Sequence, residues 1–338
     1  IDFLKNLSTQ ESLSNNLSKL IRKKFPHWPL PLIGLVSEQS ELRKKALKKF
    51  RLSAQMLFTR KGLEQSTSEA LALYTASLFK NTETILDVCS GIGGNTVGLQ
   101  NKFNQVTTIE PDPILNAIHE HNLKLYYPTK KINRIVSELN QNHFQEHPHI
   151  FIDPDRRTNG KRSYSIDDHL PDMKFVLESC KSCSEIIIKL SPMVNADQTE
   201  NGFKSLYIAD EMELKQNLWL GGNLEKSALT FAIHYNGSIF DSLNLPNQIN
   251  GTESSEYLFE MNPAIIKSGE SFNVAQKYHL EPISETSKHF IGLKQDLYPF
   301  ANSWKILLQE PFHSKKLTSI LQSLPFERFE IKPYGIGE

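Results

Sequence analysis

Five short apolar runs, at residues 85–89, 106–110, 132–136, 149–153 and 185–190, are separated by stretches of helical spacing at 96–101, 113–126 and 172–180. Nothing else in the chain limits its possible folds so strongly. Short apolar runs read as strands buried on both faces, and strands of that kind alternating with helices form a parallel sheet covered on both sides. Residues 205–209 and 227–235 can add late strands, one of them antiparallel. The expected class is a doubly wound α/β fold.

The flanks have a different texture. Leu13, Leu17, Leu20 and Ile21 recur at helical spacing, as do Leu42, Ala46, Leu47 and Phe50, with a proline-broken turn at 25–31 between them. Ser66-Thr67-Ser68-Glu69 has the form of a capping box, Ser66 as N-cap and Glu69 reaching back, opening a helix to about Phe79. Residues 241–255 are polar and loop-like. Tyr257-Leu258-Phe259 and Ile265-Ile266 start a small α+β region, and 304–308, 314–324 and 326–331 form a strand–helix–strand unit. The expected division is a helical N-terminal domain over 1–80, the α/β core over 81–240, a small module over 241–296 and a last region over 297–338.

Composition narrows the classes of partner. The 338 residues carry no formal net charge, so any nucleic-acid contact must come from a local basic patch rather than bulk charge. No apolar run approaches the ~18 residues of a membrane span, and the first twenty residues lack the features of a signal peptide. Three cysteines, an odd and low count, suit a reducing compartment, and the expected location is cytoplasmic.

The strongest chemical signal is Asp87-Val88-Cys89-Ser90-Gly91-Ile92-Gly93-Gly94 at the end of the first strand. Ligands bind at the carboxyl ends of parallel strands, and glycines there admit a cofactor to the backbone. Three readings fit: a structural turn, a dinucleotide site or a nucleoside-sulfonium site. The third glycine of a dinucleotide fingerprint would fall at Thr96. Glu110, at the end of the second strand, can accept both ribose hydroxyls of a nucleotide cofactor. Asp87-x-x-x-Gly91-x-Gly93, preceded by Ile85-Leu86, resembles motif I of the class I S-adenosylmethionine (SAM) dependent methyltransferases. That resemblance implies a Rossmann-like sheet, SAM as cofactor, and Asp87, Ser90, Gly91, Gly93 and Glu110 in the cofactor site. It also places Glu138, after the third strand, near the adenine; the alternative is a solvated loop acid.

Phe151-Ile152-Asp153-Pro154-Asp155-Arg156-Arg157 closes the fourth strand. Amino-group methyltransferases carry Asn/Asp-Pro-Pro-aromatic there, so Asp153 and Pro154 are expected to position the acceptor. This chain has Asp155 for the second proline and Arg156 for the aromatic. Arg156 is expected to anchor substrate, and Arg157, Lys161 and Arg162 to extend a basic patch suited to phosphate; a solvated charged loop is the alternative. In related methyltransferases the loop at 65–69 folds over the methionine end of SAM, which would give Gln65 and Thr67 a cofactor role; plain helix capping is the other reading.

Further segments carry a second resemblance: Phe58 to Thr67, Asp153-Pro154-x-Arg156-Arg157 followed by Gly160-Lys161-Arg162, Ile188 to Pro192, Glu213 to Trp219, Tyr257 to Gly269 and Phe326 to Lys332. Together they are similar to bacterial class I methyltransferases with a C-terminal THUMP-like domain, and the core also resembles trimethylguanosine synthases. The resemblance implies an RNA substrate, a ferredoxin-like region at 241–296 and an incomplete THUMP-like region at 297–338.

Other features read as ordinary. Cys180-x-x-Cys183 lacks the second pair that a zinc site needs. His143, His147 and His149 form a loop cluster, Cys89 lies near the cofactor without a nucleophile's setting, and no metal is expected. The basic stretch Arg43, Lys44, Lys45, Lys48, Lys49 and Arg51, which Lys315-Lys316 could extend, is either a solvated helix face or a phosphate track. The expected function is methyl transfer from SAM to an RNA base, in tRNA or rRNA. The rivals are a methyltransferase of small molecules or proteins and a non-catalytic SAM- or RNA-binding module.

Overall fold

The computed structural model describes residues 17–156, 166, 169–246, 256–284, 288–309 and 313–324. Arg157, Lys161, Arg162 and residues 325–338 lie outside them, as does Leu13.

Two helices, α1 (Leu17–Lys24) and α2 (Leu30–Ala46), lead into two more, α3 (Arg60–Gln65) and α4 (Glu69–Ser77). Then come β1 (Thr84–Val88), α5 (Gly94–Lys102), β2 (Gln105–Ile109), α6 (Pro113–Tyr126), β3 (Asn133–Ile135), α7 (Gln141–Glu146) and β4 (His149–Ile152). A short hairpin of β5 (Asp155–Arg156) and β6 (His169–Leu170) precedes α8 (Met173–Ser179) and β7 (Glu185–Leu190). The sheet ends with β8 (Phe203–Asp210), β9 (Glu213–Gly222), β10 (Phe231–Tyr235) and β11 (Ser238–Asp241).

Its order is β11-β10-β8-β9-β7-β4-β1-β2-β3, and every strand but β9 and β11 runs the same way. The two late strands expected from sequence are β8 and β10, but neither is the reversed one. That role falls to the edge strand β11 and, inside the sheet, to β9, whose Gln216 to Gly221 are all buried and so lack the polar alternation that marks an antiparallel strand.

Side chains alternate across the sheet. Ile85, Phe151, Ile187, Leu218 and Leu220 share one core with Leu71 and Phe79 beside α4 and with Leu99 and Phe103 beside α5. Leu86, Ile150, Ile152, Ile186, Ile188 and Trp219 share the opposite core with Phe144 of α7 and with Met173 and Val176 of α8. Helices α4 and α5 meet backbone to backbone: a Cβ on Gly98 would fall 2.0 Å from the carbonyl oxygen of Ala72. A third core sets Leu42, Phe50, Met56, Phe58 and Leu63 against Ile92 of the glycine turn and against Leu123 and Tyr126 of α6.

The capping box at 66–69 does not form. Ser68 is the N-cap and makes no side-chain cap bond, while Ser66 Oγ donates back to the carbonyl of Leu63. Glu69 instead accepts from Arg51 Nε at 2.7 Å and from the Tyr126 hydroxyl at 2.8 Å. A nearby guanidinium is a stronger partner than a backbone N–H.

The C-terminal strands β12 (Glu256–Met261), β13 (Glu281–Pro282), β14 (His289–Leu293) and β15 (Ala301–Lys305) form an antiparallel sheet in the order β13-β14-β12-β15. With it come α9 (Pro263–Lys267), α10 (Ser271–Lys277) and α11 (Ser314–Ser323). One core joins this layer to the large sheet, with Tyr207, Ala209, Phe231 and Ile233 packed among Phe259, Ile265, Val274, Phe290 and Phe300. The fully buried Asn262 fixes the join, donating to the carbonyls of Glu211 at 2.7 Å and Pro299 at 2.9 Å.

Candidate active site

The site lies where strand order reverses, between β1 and β4 at their carboxyl ends. The chain leaves β1 through Cys89 and Gly91, both at positive φ, and enters α5 through Gly93 at φ +91°. A Cβ at Gly91 would meet no atom within 4 Å, so the backbone there faces open space. Glu110 braces the turn from β2: its carboxylate accepts from the N–H of Gly91 at 2.9 Å and of Asp112 at 3.0 Å. Burial raises its pKa, and those two N–H groups pull the other way.

Asp87 lies beneath the turn, with no exposed surface. Thr96 Oγ1 donates to its Oδ2 at 2.5 Å, and His119 Nε2 lies 3.0 Å behind Thr96 Oγ1. Burial pushes Asp87 up to about 7 and His119 down to about 3. His119 is therefore a neutral structural prop at ordinary pH.

Four buried oxygens around this turn have no protein partner: Asp87 Oδ1, Ser90 Oγ, Asn95 Oδ1 and Thr67 Oγ1. Buried polar atoms are normally satisfied, so four unpartnered ones on the segments that build the turn fit a polar ligand seated against it. Thr67 is brought there by the chain between α3 and α4: a Cβ on Gly94 would lie 3.2 Å from both Ser66 Cβ and the Thr67 carbonyl oxygen. Glu138 is exposed on the loop after β3. Gln65 is also exposed, and its Nε2 donates to Asp155 Oδ1 at 3.1 Å.

Asp153 begins the loop after β4, its N–H donating to the carbonyl of Val88. Asn95 Nδ2 at 2.9 Å and Lys189 Nζ at 2.6 Å both donate to its Oδ2. Pro154 is buried, and the backbone of Arg156 lies opposite that of His169 in the β5–β6 hairpin. Asn95 and Lys189 escaped the sequence reading. A lysine following the apolar Ile186-Ile187-Ile188 of β7 and an asparagine beside the glycine turn were the available signals.

Other residues are accounted for by packing. Cys89 Sγ lies 3.8 Å from the carbonyl oxygen of Leu170, and burial raises its pKa, which leaves it a poor nucleophile. His143 completes the cap of α7, while His147 and His149 contact the backbone carbonyls of His143 and Thr84. Among the described residues no cluster suits a metal ion, and no helix is long and apolar enough to cross a membrane. The basic stretch is not one track: Arg43 is buried against the carbonyl of Met56, Lys45 pairs with Glu41 and Arg51 with Glu69.

The reversed strand inside a parallel sheet, the glycine turn and the braced Glu110 define a class I SAM-dependent methyltransferase, with SAM as its cofactor. Within that class, a family profile for RNA cap guanine-N2 methyltransferases matches residues 82–193. An uncharacterised SAM-dependent methyltransferase of Mycobacterium tuberculosis, found in two strains, is 21% identical over 297 residues, 84% of this chain and 78% of its own. The crystal structure of a candidate methyltransferase from Porphyromonas gingivalis W83 superposes with a TM-score of 0.70 over 96% of this chain and 86% of its own, at 21% identity. That likeness extends the shared fold across both sheets.

Proposed function

We propose that this protein transfers a methyl group to an exocyclic amine of an RNA base, with guanine N2 as the target that the family match favours. The observation that carries the reading is the state of Asp153. Its Oδ2 already takes two donors, from Asn95 and Lys189, which leaves Oδ1 to receive the acceptor. A carboxylate only accepts hydrogen bonds, so the group it holds must be a donor, which an exocyclic amine N–H is.

Bound at the glycine turn, SAM supplies an electrophilic methyl group on a sulfonium. Asp87, Ser90, Gly91, Gly93 and Thr67 would shape the pocket and Glu110 would take the ribose hydroxyls, with Glu138 toward the adenine. The chain's own contribution is then largely alignment, with the amine's lone pair turned toward the methyl group and Pro154 stiffening the loop. As the nitrogen gains the methyl group it must lose a proton, and Asp153 Oδ1 is the acceptor at hand. Arg156, with Arg157, Lys161 and Arg162, would take flanking phosphates. Exposed Lys19, Arg22 and Lys23 on α1 offer a second local patch on a chain of zero net charge. In this reading the C-terminal layer is the ferredoxin-like and THUMP-like part that presents RNA, and the enzyme works in the cytoplasm.

The burial of Arg43, the seating of Lys49 on backbone carbonyls and the pairing of Arg51 with Glu69 favour a second reading, transfer to a small molecule or protein. Labelled SAM incubated with total RNA from cells lacking the gene separates the two, with protein and metabolites as parallel acceptors. Label in RNA that digests to N2-methylguanosine, and that Asp153→Ala abolishes, is the expected result. Label confined to protein or metabolites would overturn the RNA reading.

A further inference from the structure

Helix α3 touches both halves of the site. On one flank it presses on the glycine turn, where a Cβ at Gly62 would come within 2.7 Å of Ile92 Cγ2. The chain just after it, at Ser66 and Thr67, packs on Gly94. On another flank Lys61 and Gln65, one helical turn apart, each take one oxygen of the Asp155 carboxylate: Lys61 Nζ to Oδ2 at 2.5 Å and Gln65 Nε2 to Oδ1 at 3.1 Å. Asp155 stands two residues beyond Asp153. Leu170, opposite Asp155 across the hairpin, carries the carbonyl beside the Cys89 thiol.

The helix is also fixed at both ends. Thr59 Oγ1 accepts the N–H of Gly62 at 2.9 Å. At the other end the Lys49 ammonium donates to the carbonyls of Leu63, Glu64 and Ser66 at 2.7, 3.2 and 2.8 Å. Those are carbonyls that a helix end leaves without intrahelical partners, and a cation there also matches the helix dipole. Capped this way, α3 can transmit a displacement from one flank to the other rather than unwind.

We propose that Lys61, Gln65 and Asp155 are positioning residues that tie the loop carrying Asp153 to the cofactor turn through α3. Filling the cofactor site then fixes the acceptor loop before the acceptor arrives. The idea rests on residues 153–156 being the acceptor loop, and it holds whether the acceptor is RNA or something else. Lys61 and Asp155 are both well exposed, at 62% and 44% of their side-chain surface, so the pair contributes little to global stability. Its effect belongs in the coupling between the two sites.

Hydrogen–deuterium exchange on the whole chain, with and without SAM, tests this directly. In the wild type SAM is expected to slow exchange at the glycine turn and also at the amides of Asp153, Asp155 and Arg156. In Lys61→Met the turn stays protected and the Kd for SAM moves less than ~3-fold, while the loop's added protection falls about 3- to 10-fold, the scale of one or two exposed polar contacts. The exchanged pair, Lys61→Asp with Asp155→Lys, should recover part of the loop protection, which a purely structural loss would not. With labelled SAM and total RNA from cells lacking the gene, kcat/KM for Lys61→Met should fall by a similar factor. Equal loop protection in wild type and Lys61→Met, or a wild-type loop that SAM never protects, would overturn the proposal. Loop protection that depends on Lys61 alongside unlabelled RNA would support the coupling and remove the RNA acceptor instead.

Discussion

The cofactor half and the acceptor half of the site are built from different materials. Around β1, β2 and α5 the work is done by backbone and by buried acids: Asp87 is fully buried, Glu110 is 6% exposed, and both are held by neighbours close in sequence. Past β4 it is done by long side chains reaching from far away. Asn95, Lys189, Lys61 and Gln65 converge on Asp153 and Asp155 across 58, 36, 94 and 90 residues of chain. A preformed pocket for one invariable cofactor tolerates rigid burial. A loop that must receive a bulky acceptor is held at Asp155 by exposed contacts that water can replace.

If this division is real, substitutions on the two sides should separate affinity from turnover. The largest effect expected is at Asp153. Asp153→Ala removes the proposed anchor of the acceptor and leaves Lys189 and Asn95 without their Asp153 partner, so kcat should fall by at least about 100-fold while the Kd for SAM changes less than ~3-fold. Label transfer and calorimetry measure the two quantities. A weakened cofactor with intact turnover would erase the distinction.

Glu110→Ala is the converse. It removes the bond that braces Gly91, and with it the expected ribose contact, a charged hydrogen bond contributing about 1.5–3 kcal/mol to cofactor binding. The Kd for SAM should rise roughly 10- to 100-fold, with kcat at saturating SAM nearly unchanged. Gly98→Ala probes the scaffold beneath the same half. Its Cβ would strike the backbone of Ala72, which cannot swing aside as a side-chain tip can, so about 1–3 kcal/mol of stability should be lost. Urea unfolding without ligand reads this directly, and a loss under ~0.5 kcal/mol would mean the two helices part easily.

The same division explains what could be read from the sequence. Residues 84–135 carry their signals locally: β1, β2 and β3 fall on the expected apolar runs, α6 matches 113–126, and the spacing from the glycine turn picks out Glu110. Cofactor sites of this kind are made by consecutive residues, so spacing suffices. The partners of Asp153 and Asp155 could not be found that way, because each contact depends on which strands become neighbours. Lys189 meets Asp153 only because β7 pairs with β4. The reversed β9 was hidden for a related reason: its residues from Gln216 to Gly221 are buried on both faces, Leu218 and Leu220 in one core and Trp219 in the other, so no exposed polar face alternates with an apolar one there. The capping box failed because Arg51 and Tyr126, neither adjacent in sequence, are better partners for Glu69.

An effect no larger than that of Gly98→Ala, and the one that tests whether the cofactor half is preformed, concerns pH. Asp87 is raised from its usual 3.8 to about 7, chiefly by burial and against the pull of the Thr96 hydroxyl. Between those values the folded protein keeps a proton that the unfolded chain gives up. The acid's stabilising share is therefore complete below about pH 4 and is lost as pH rises toward 7, by at most about 1.4 kcal/mol per pH unit. Asp87→Asn has no such proton, so the wild type should lose stability relative to the variant between pH 5 and pH 7, by about 1–3 kcal/mol. Comparing the two proteins cancels the titration of the groups that do not interact with Asp87; those that do are Asp153, Glu110 and Lys189. Parallel stability curves would mean that water reaches Asp87 in the free protein. The cofactor pocket would then close only around its ligand, and it would resemble the acceptor half more than the burial of Asp87 suggests.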